Sequence, residues 1–232
     1  MQQSVILGEG VVATPAVMER GVVEGLVREL VTQHLATRAV AGEPILAVHA
    51  SARHMHICRG DLDQLFGPGY ELTVDHTLYQ KGNFAAKEVV TLIGPRSRLI
   101  SNLRILGPLR PRTQVELAFT DAASLGLELP IRLSGDLDGT PGAFLMGPHG
   151  MIEIEHGVIR AARHVHMSPT DADHYGVAHG DLMKLRVGGE AGVVLERVEV
   201  RVGPDYRLDV HLDTDEANAS GLHLTKDIEL FK

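Results

Sequence analysis

The chain has 232 residues and is 44 % hydrophobic, enough for one large core or two small ones. Its 22 basic and 30 acidic residues leave a net charge of −8, which argues against broad binding to nucleic acid or anionic membrane. The one cysteine, Cys58, excludes an internal disulfide and suits a reducing compartment. No apolar run reaches the roughly 18 residues of a membrane span, and no signal peptide opens the chain, so a soluble cytoplasmic protein is expected.

Residues 1–14 are irregular, broken by Gly8 and Gly10. Across 16–38 the residues Val17, Met18, Val22, Val23, Leu26, Val27, Leu30, Val31 and Leu35 recur three and four apart. That period predicts an amphipathic helix, for core packing or subunit contact, ended by Ala41-Gly42-Glu43-Pro44. Beyond Ile45 the text is mostly β. Apolar alternations at 45–48, 88–93, 99–106, 113–119, 131–133, 143–146, 182–187, 193–202 and 207–212 are separated by Gly-Pro and Gly-Gly turns. Short strands at this spacing predict barrels or sandwiches.

After the first of these strands comes Ser51-Ala52-Arg53-His54-Met55-His56. Histidines two apart share a face only on extended backbone, so His54 and His56 can chelate from a strand end. A helix start follows, and Cys58 falls at it. Further on, Arg96, Arg98, Arg104, Arg110 and Arg112 gather around two Gly-Pro turns. In an acidic chain this is the natural place for a phosphate-bearing ligand, with Arg110 favoured because it lies six residues before Glu116. The loop after Ser134 is rich in small residues and lacks the spacing of a calcium-binding loop; Ser134 itself is a candidate for substrate contact.

At Ala161-Ala162-Arg163-His164-Val165-His166 the first histidine word returns, followed by Ser168-Pro169-Thr170-Asp171, a capping-box helix start. Ser168 stands where the first copy has Cys58, which favours a capping or packing role for Cys58 over covalent catalysis. The repeat continues: Val115-Glu116-Leu117 aligns with Val210-His211-Leu212, placing Glu116 opposite His211. Two three-donor sets result, His54/His56/Glu116 and His164/His166/His211, each with open coordination. The blander reading is a duplicated turn whose histidines merely hydrogen-bond backbone.

Taken together, Ser-Ala-Arg-His-Met-His, Leu65-Phe66-Gly67, the Gly-Pro-Leu-Arg-Pro-Arg-Thr-Gln-Val-Glu run ending at Glu116, Ser134-Gly135-Asp136, Ala-Ala-Arg-His-Val-His-Met and Asp213-Thr214-Asp215-Glu216-Ala217-Asn218 resemble the PduL-type phosphotransacylases (phosphate propanoyltransferases). The similarity runs from about Ile45 to Gly221. It implies the interconversion of acyl-CoA (propanoyl-CoA or acetyl-CoA) plus phosphate with acyl phosphate plus coenzyme A. It implies two zinc ions per chain, one held by His54, His56 and Glu116 and one by His164, His166 and His211. Arg110 would bind phosphate and Ser134 would lie in the substrate pocket.

The implied fold is mainly β, with two antiparallel β-barrel domains, short helices and an N-terminal α-helix. One barrel would comprise 37–51 plus 162–232, the other 52–161, with 1–36 as a tail and helix. The resemblance implies a homodimer, with no nucleic-acid or membrane partner. Its setting would be the cytoplasm or the lumen of a bacterial microcompartment, beside shell or core enzymes. Direct phosphate attack in a ternary complex is expected. A dinuclear zinc hydrolase of a thioester or phosphoester would use the same ligands with water as nucleophile, and a module with structural zinc is the non-enzymatic alternative. His49 and His76 are read as incidental.

Overall fold

The computed structural model describes residues 44–232, and the helix expected at 16–38 lies outside them. Fifteen strands form two curled sheets, so the described chain is mainly β with few helices. The first strand, β1 (Ala47–Ser51), leads directly to β2 (His54–His56), yet the two belong to different sheets. The nine-stranded sheet holds β2, β3 (Val74–Thr77), β4 (Phe84–Ile93), β5 (Leu99–Gly107), β6 (Gln114–Glu116), β7 (Ile131–Arg132), β8 (Ala143–Met146), β9 (Met151–Ile154) and β10 (Val158–Ala161). The six-stranded sheet holds β1, β11 (His164–Met167), β12 (Leu182–Val187), β13 (Val193–Val202), β14 (Asp209–Asp213) and β15 (Ile228–Phe231).

One four-strand unit occurs twice. In the larger sheet the order β10-β6-β2-β5 pairs parallel, antiparallel, parallel. In the smaller sheet β1-β14-β11-β13 repeats that pattern. Each copy therefore lends its lead strand to the other sheet: β1 precedes β2 but pairs with β14, and β10 precedes β11 but pairs with β6. The exchange contributes the parallel pairs β1–β14 and β10–β6, and β2–β5 and β11–β13 add a parallel pair within each copy, so the sheets are mixed rather than antiparallel throughout.

Four short helices follow the key strands: α1 (Arg59–Phe66) after β2, α2 (Phe119–Leu125) after β6, α3 (Pro169–Tyr175) after β11 and α4 (Thr214–Ala219) after β14. Ser168 caps α3 in a full capping box with Asp171, as its spacing predicts, and Asp213 with Glu216 does the same for α4. Cys58 holds the matching position before α1 but its side chain makes no cap bond. The strand expected over 113–119 ends at Glu116, and Phe119 opens α2; the apolar Leu117-Ala118-Phe119 reads as strand, but Ala118 takes the N-cap.

Strand parity sorts the histidine words. Met55 and Val165, between the two histidines of each word, are fully buried in the two separate cores, which turns the flanking imidazoles to the opposite face. Burying each such side chain contributes roughly 1.5–3 kcal/mol, so a one-residue slip of register is strongly disfavoured. At Gly157, with φ +125°, β10 begins against β6; a Cβ there would sit 2.7 Å from the Thr113 carbonyl oxygen.

Candidate metal centres

Pairing register brings the third donor to each histidine pair. His54 on β2 lies directly opposite Glu116 on β6, and His164 on β11 lies directly opposite His211 on β14. In each set one ligand atom per residue falls within 4.8 Å of the others. His54 Nε2 is 3.5 Å and His56 Nε2 4.0 Å from the Glu116 carboxylate. In the second set the ring centroids are 4.8–4.9 Å apart.

Backbone carbonyls orient the rings. His54 Nδ1 donates to Ala52 O and His164 Nδ1 to Ala162 O, both at 2.8 Å, while His56 Nδ1 reaches Leu106 O at 3.3 Å. That tautomer leaves each Nε2 lone pair free, the arrangement metal-bound imidazoles use. His211 instead donates its Nε2 proton to Asp209 Oδ2 at 2.8 Å, freeing Nδ1. His166 Nδ1 is buried with no hydrogen-bond partner among the described residues.

Protonation suits cation binding. Burial, reinforced by His54 and Arg110, pushes His56 down to about 3. Burial with the neighbouring charges of His164 and His211 brings His166 to about 3, and burial with His211 brings His164 to about 4. Burial alone would raise the Glu116 pKa, but the protonated forms of His54, His56 and His164, together with the Arg110 guanidinium, outweigh it, so the carboxyl loses its proton below the usual carboxylate range. Neutral imidazoles and an anionic carboxylate are the forms a metal ion requires. Convergent nitrogen and oxygen donors, an orphaned buried nitrogen and three donors per set fit a divalent cation with an open position.

A polar chain connects Arg110 to the first set. Arg110 Nη1 donates to Ser134 Oγ (2.7 Å), Gln114 Nε2 donates to the same oxygen (2.8 Å) and also to Glu116 Oε1 (2.6 Å). The structure thus brings Arg110 and Ser134 to the Glu116 side. Of the other basic residues in that stretch, Arg104 bonds Ala86 O and Arg112 bonds Asp138. A small cavity, with space of about 20 Å³, is lined by Glu116 together with His164, His211, Ser51 and Asp213, so both sets border it.

Several participants escaped the sequence reading. Gln114 and Asp209 each stand two residues before the third donor and bond to it, a parity that strand text could have signalled. Asp209, 1 % exposed, also accepts from His49 Nδ1 (2.6 Å) and Gln80 Nε2 (3.2 Å), so His49 buttresses the second set; His76 pairs only with its neighbour Asp75. Gln80 comes from the β3–β4 loop, 127 residues from Arg207, whose carbonyl also accepts from it, and no local pattern announces that contact.

The two sheets are pinned by buried ions. Arg160 of β10 lies 2.5 Å from Asp213 Oδ2 and 2.5 Å from Glu216 Oε1, and Arg163 lies 2.7 Å from that same Glu216 oxygen. Arg160 also stacks over Phe119 at 4.8 Å, and Thr120 donates twice to Asp215, tying α2 to α4.

Two curled β sheets, each presenting a three-donor set with an open position onto a shared cavity, define an enzyme scaffold with a paired metal-type centre. The family model for phosphate propanoyltransferase matches residues 47–223. A phosphate propanoyltransferase of Planctopirus limnophila is 48 % identical over 226 residues, covering 93 % of this chain and 92 % of its own. Those of Thermotoga maritima (50 % over 182 residues; 78 % and 86 % covered) and Citrobacter freundii (47 % over 172; 74 % and 81 %) are similar too. The chain belongs to the phosphate propanoyltransferase family, a family of phosphotransacylase enzymes.

Proposed function

We propose that the chain is a zinc-dependent phosphate acyltransferase. It would interconvert propanoyl-CoA or acetyl-CoA plus phosphate with the acyl phosphate plus coenzyme A, by direct attack in a ternary complex. The observation that carries this reading is that both donor sets border one cavity, with the Arg110 side chain held beside the first. His54, His56 and Glu116 would hold one ion, and His164, His166 and His211 the other. Zinc there would supply Lewis-acid charge, which lowers the pKa of a bound thiol and polarises phosphoryl or carbonyl oxygen.

The chain's own groups do the rest. Arg110 supplies a guanidinium for phosphate, and Ser134 Oγ, accepting from both Arg110 and Gln114, fixes where that guanidinium points. Gln114 in turn donates to Glu116, so phosphate position and the first donor set are coupled through one hydrogen-bonded chain.

The reading extends to organisation. We take 52–161 as one domain and 37–51 plus 162–232 as the other, supported by the pairing of β1 with β14; 1–36 would be a tail and helix. We also take the family's homodimer as the assembly, and the cytoplasm or a microcompartment lumen as the setting. Among the described residues no helix is long and apolar enough to cross a membrane.

Release of CoA from propanoyl-CoA, followed with and without phosphate, tests the activity. Acyl phosphate should form in step with CoA only when phosphate is present. Equal release in phosphate-free buffer would mark a hydrolase instead, and ping-pong kinetics would exclude the ternary complex.

A further inference from the structure

The face of the six-stranded sheet that carries the second donor set holds one more charged group. Arg201 on β13 is the register partner of His166 on β11. Its neighbour Val200 is fully buried in the core, so strand parity turns Arg201 to the histidine side. Arg163 and Arg186 each meet a carboxylate, but Arg201, half-buried, meets none among the described residues.

Arg110 belongs to the other half of the molecule, yet the two cations converge. His166 shares its donor set with His164, and His164 lines one cavity with Glu116, whose carboxylate ends the chain Arg110–Ser134–Gln114. Two guanidinium groups brought together around paired donor sets repel one another unless an anion lies between them. Arg110 is anchored from behind by Ser134, which leaves its remaining N–H groups to a ligand.

We infer that Arg201 is the second guanidinium of the phosphate subsite, so that a phosphate dianion is gripped from both sheets, by Arg110 on one side and Arg201 on the other. The inference rests on the proposed acyltransferase activity. In that reaction a phosphate oxygen forms the new bond to the thioester carbonyl carbon, the carbon–sulfur bond breaks, and the phosphate hydroxyl proton ends on the CoA sulfur. Throughout, the phosphoryl group keeps two negative charges, which two arginines match better than one. In the strand text Glu196-Arg197-Val198-Glu199-Val200-Arg201, alternating charge resembles a solvated edge, which hid this residue from sequence reading.

Steady-state kinetics on the metal-replete full chain, wild type beside Arg201→Lys and Arg201→Met, test it, with phosphate and propanoyl-CoA varied in turn and bound metal counted. Arg201→Met should raise KM for phosphate about 10- to 100-fold, the range for losing a hydrogen bond to a charged group. Arg201→Lys should fall between it and wild type, with KM for propanoyl-CoA within about twofold and metal content unchanged. An unchanged phosphate KM in both variants, a shift confined to propanoyl-CoA, or loss of metal from both would overturn the inference while leaving phosphate-dependent wild-type turnover standing. Phosphate-independent turnover of the wild type would remove the parent reading as well.

Discussion

At the first donor set a carboxylate, Glu116, faces His54, whereas at the second an imidazole, His211, faces His164 and the carboxylate, Asp209, sits two residues back, bonded to the ring. The position that Asp209 fills is occupied in the first set by neutral Gln114, which bonds to Glu116. Each half thus carries one acid close to its imidazoles, directly in one and through a ring in the other. An ion in the first set would meet a full negative charge, and one in the second would meet an imidazole made more basic from behind. The duplication therefore preserves geometry while moving charge by one shell.

The supports differ in the same way. Arg53 pairs with Asp121 at 2.7 Å with half its side chain exposed, while its counterpart Arg163 pairs with buried Glu216 and is joined by buried Arg160 and Asp213. Arg160→Met should cost about 3–5 kcal/mol, because it leaves buried Asp213 without its cationic partner, while Glu216 keeps Arg163. Arg53→Met should cost under about 1 kcal/mol, as exposed pairs do. Denaturant midpoints compare the two directly, and equal losses would break the contrast.

Asp209→Asn sharpens the electrostatic half of the comparison. Isothermal titration of zinc should show affinity at the second set about 10- to 100-fold lower, the usual cost of losing an outer-shell carboxylate, with the first set unchanged. A smaller effect separates the helix starts. Ser168→Ala should lose about 1 kcal/mol of stability, whereas Cys58→Ala, which removes no cap bond, should be close to neutral by thermal unfolding.

Both donor sets were readable because a period of two repeated twice in strand text, and because the second copy located Glu116 by matching it to His211. Register then did what parity alone could not, placing the third donors opposite the first histidines. Short helices fared worse: α2 lay hidden in an apolar run whose single acidic first-turn residue, Asp121, is a weak start signal. Gln80, Arg160 and Arg201 were invisible for one shared reason. Their partners lie on another strand or in the other sheet, so the contacts exist only once the chain has folded.

Metal content resolved by site tests the central claim most directly. Purified wild type should carry two zinc ions per chain, while His54→Ala/Glu116→Ala and His164→Ala/His211→Ala should each retain one and lose phosphate-dependent CoA release. A single ion in the wild type, or full turnover in either double variant, would contradict the paired centre.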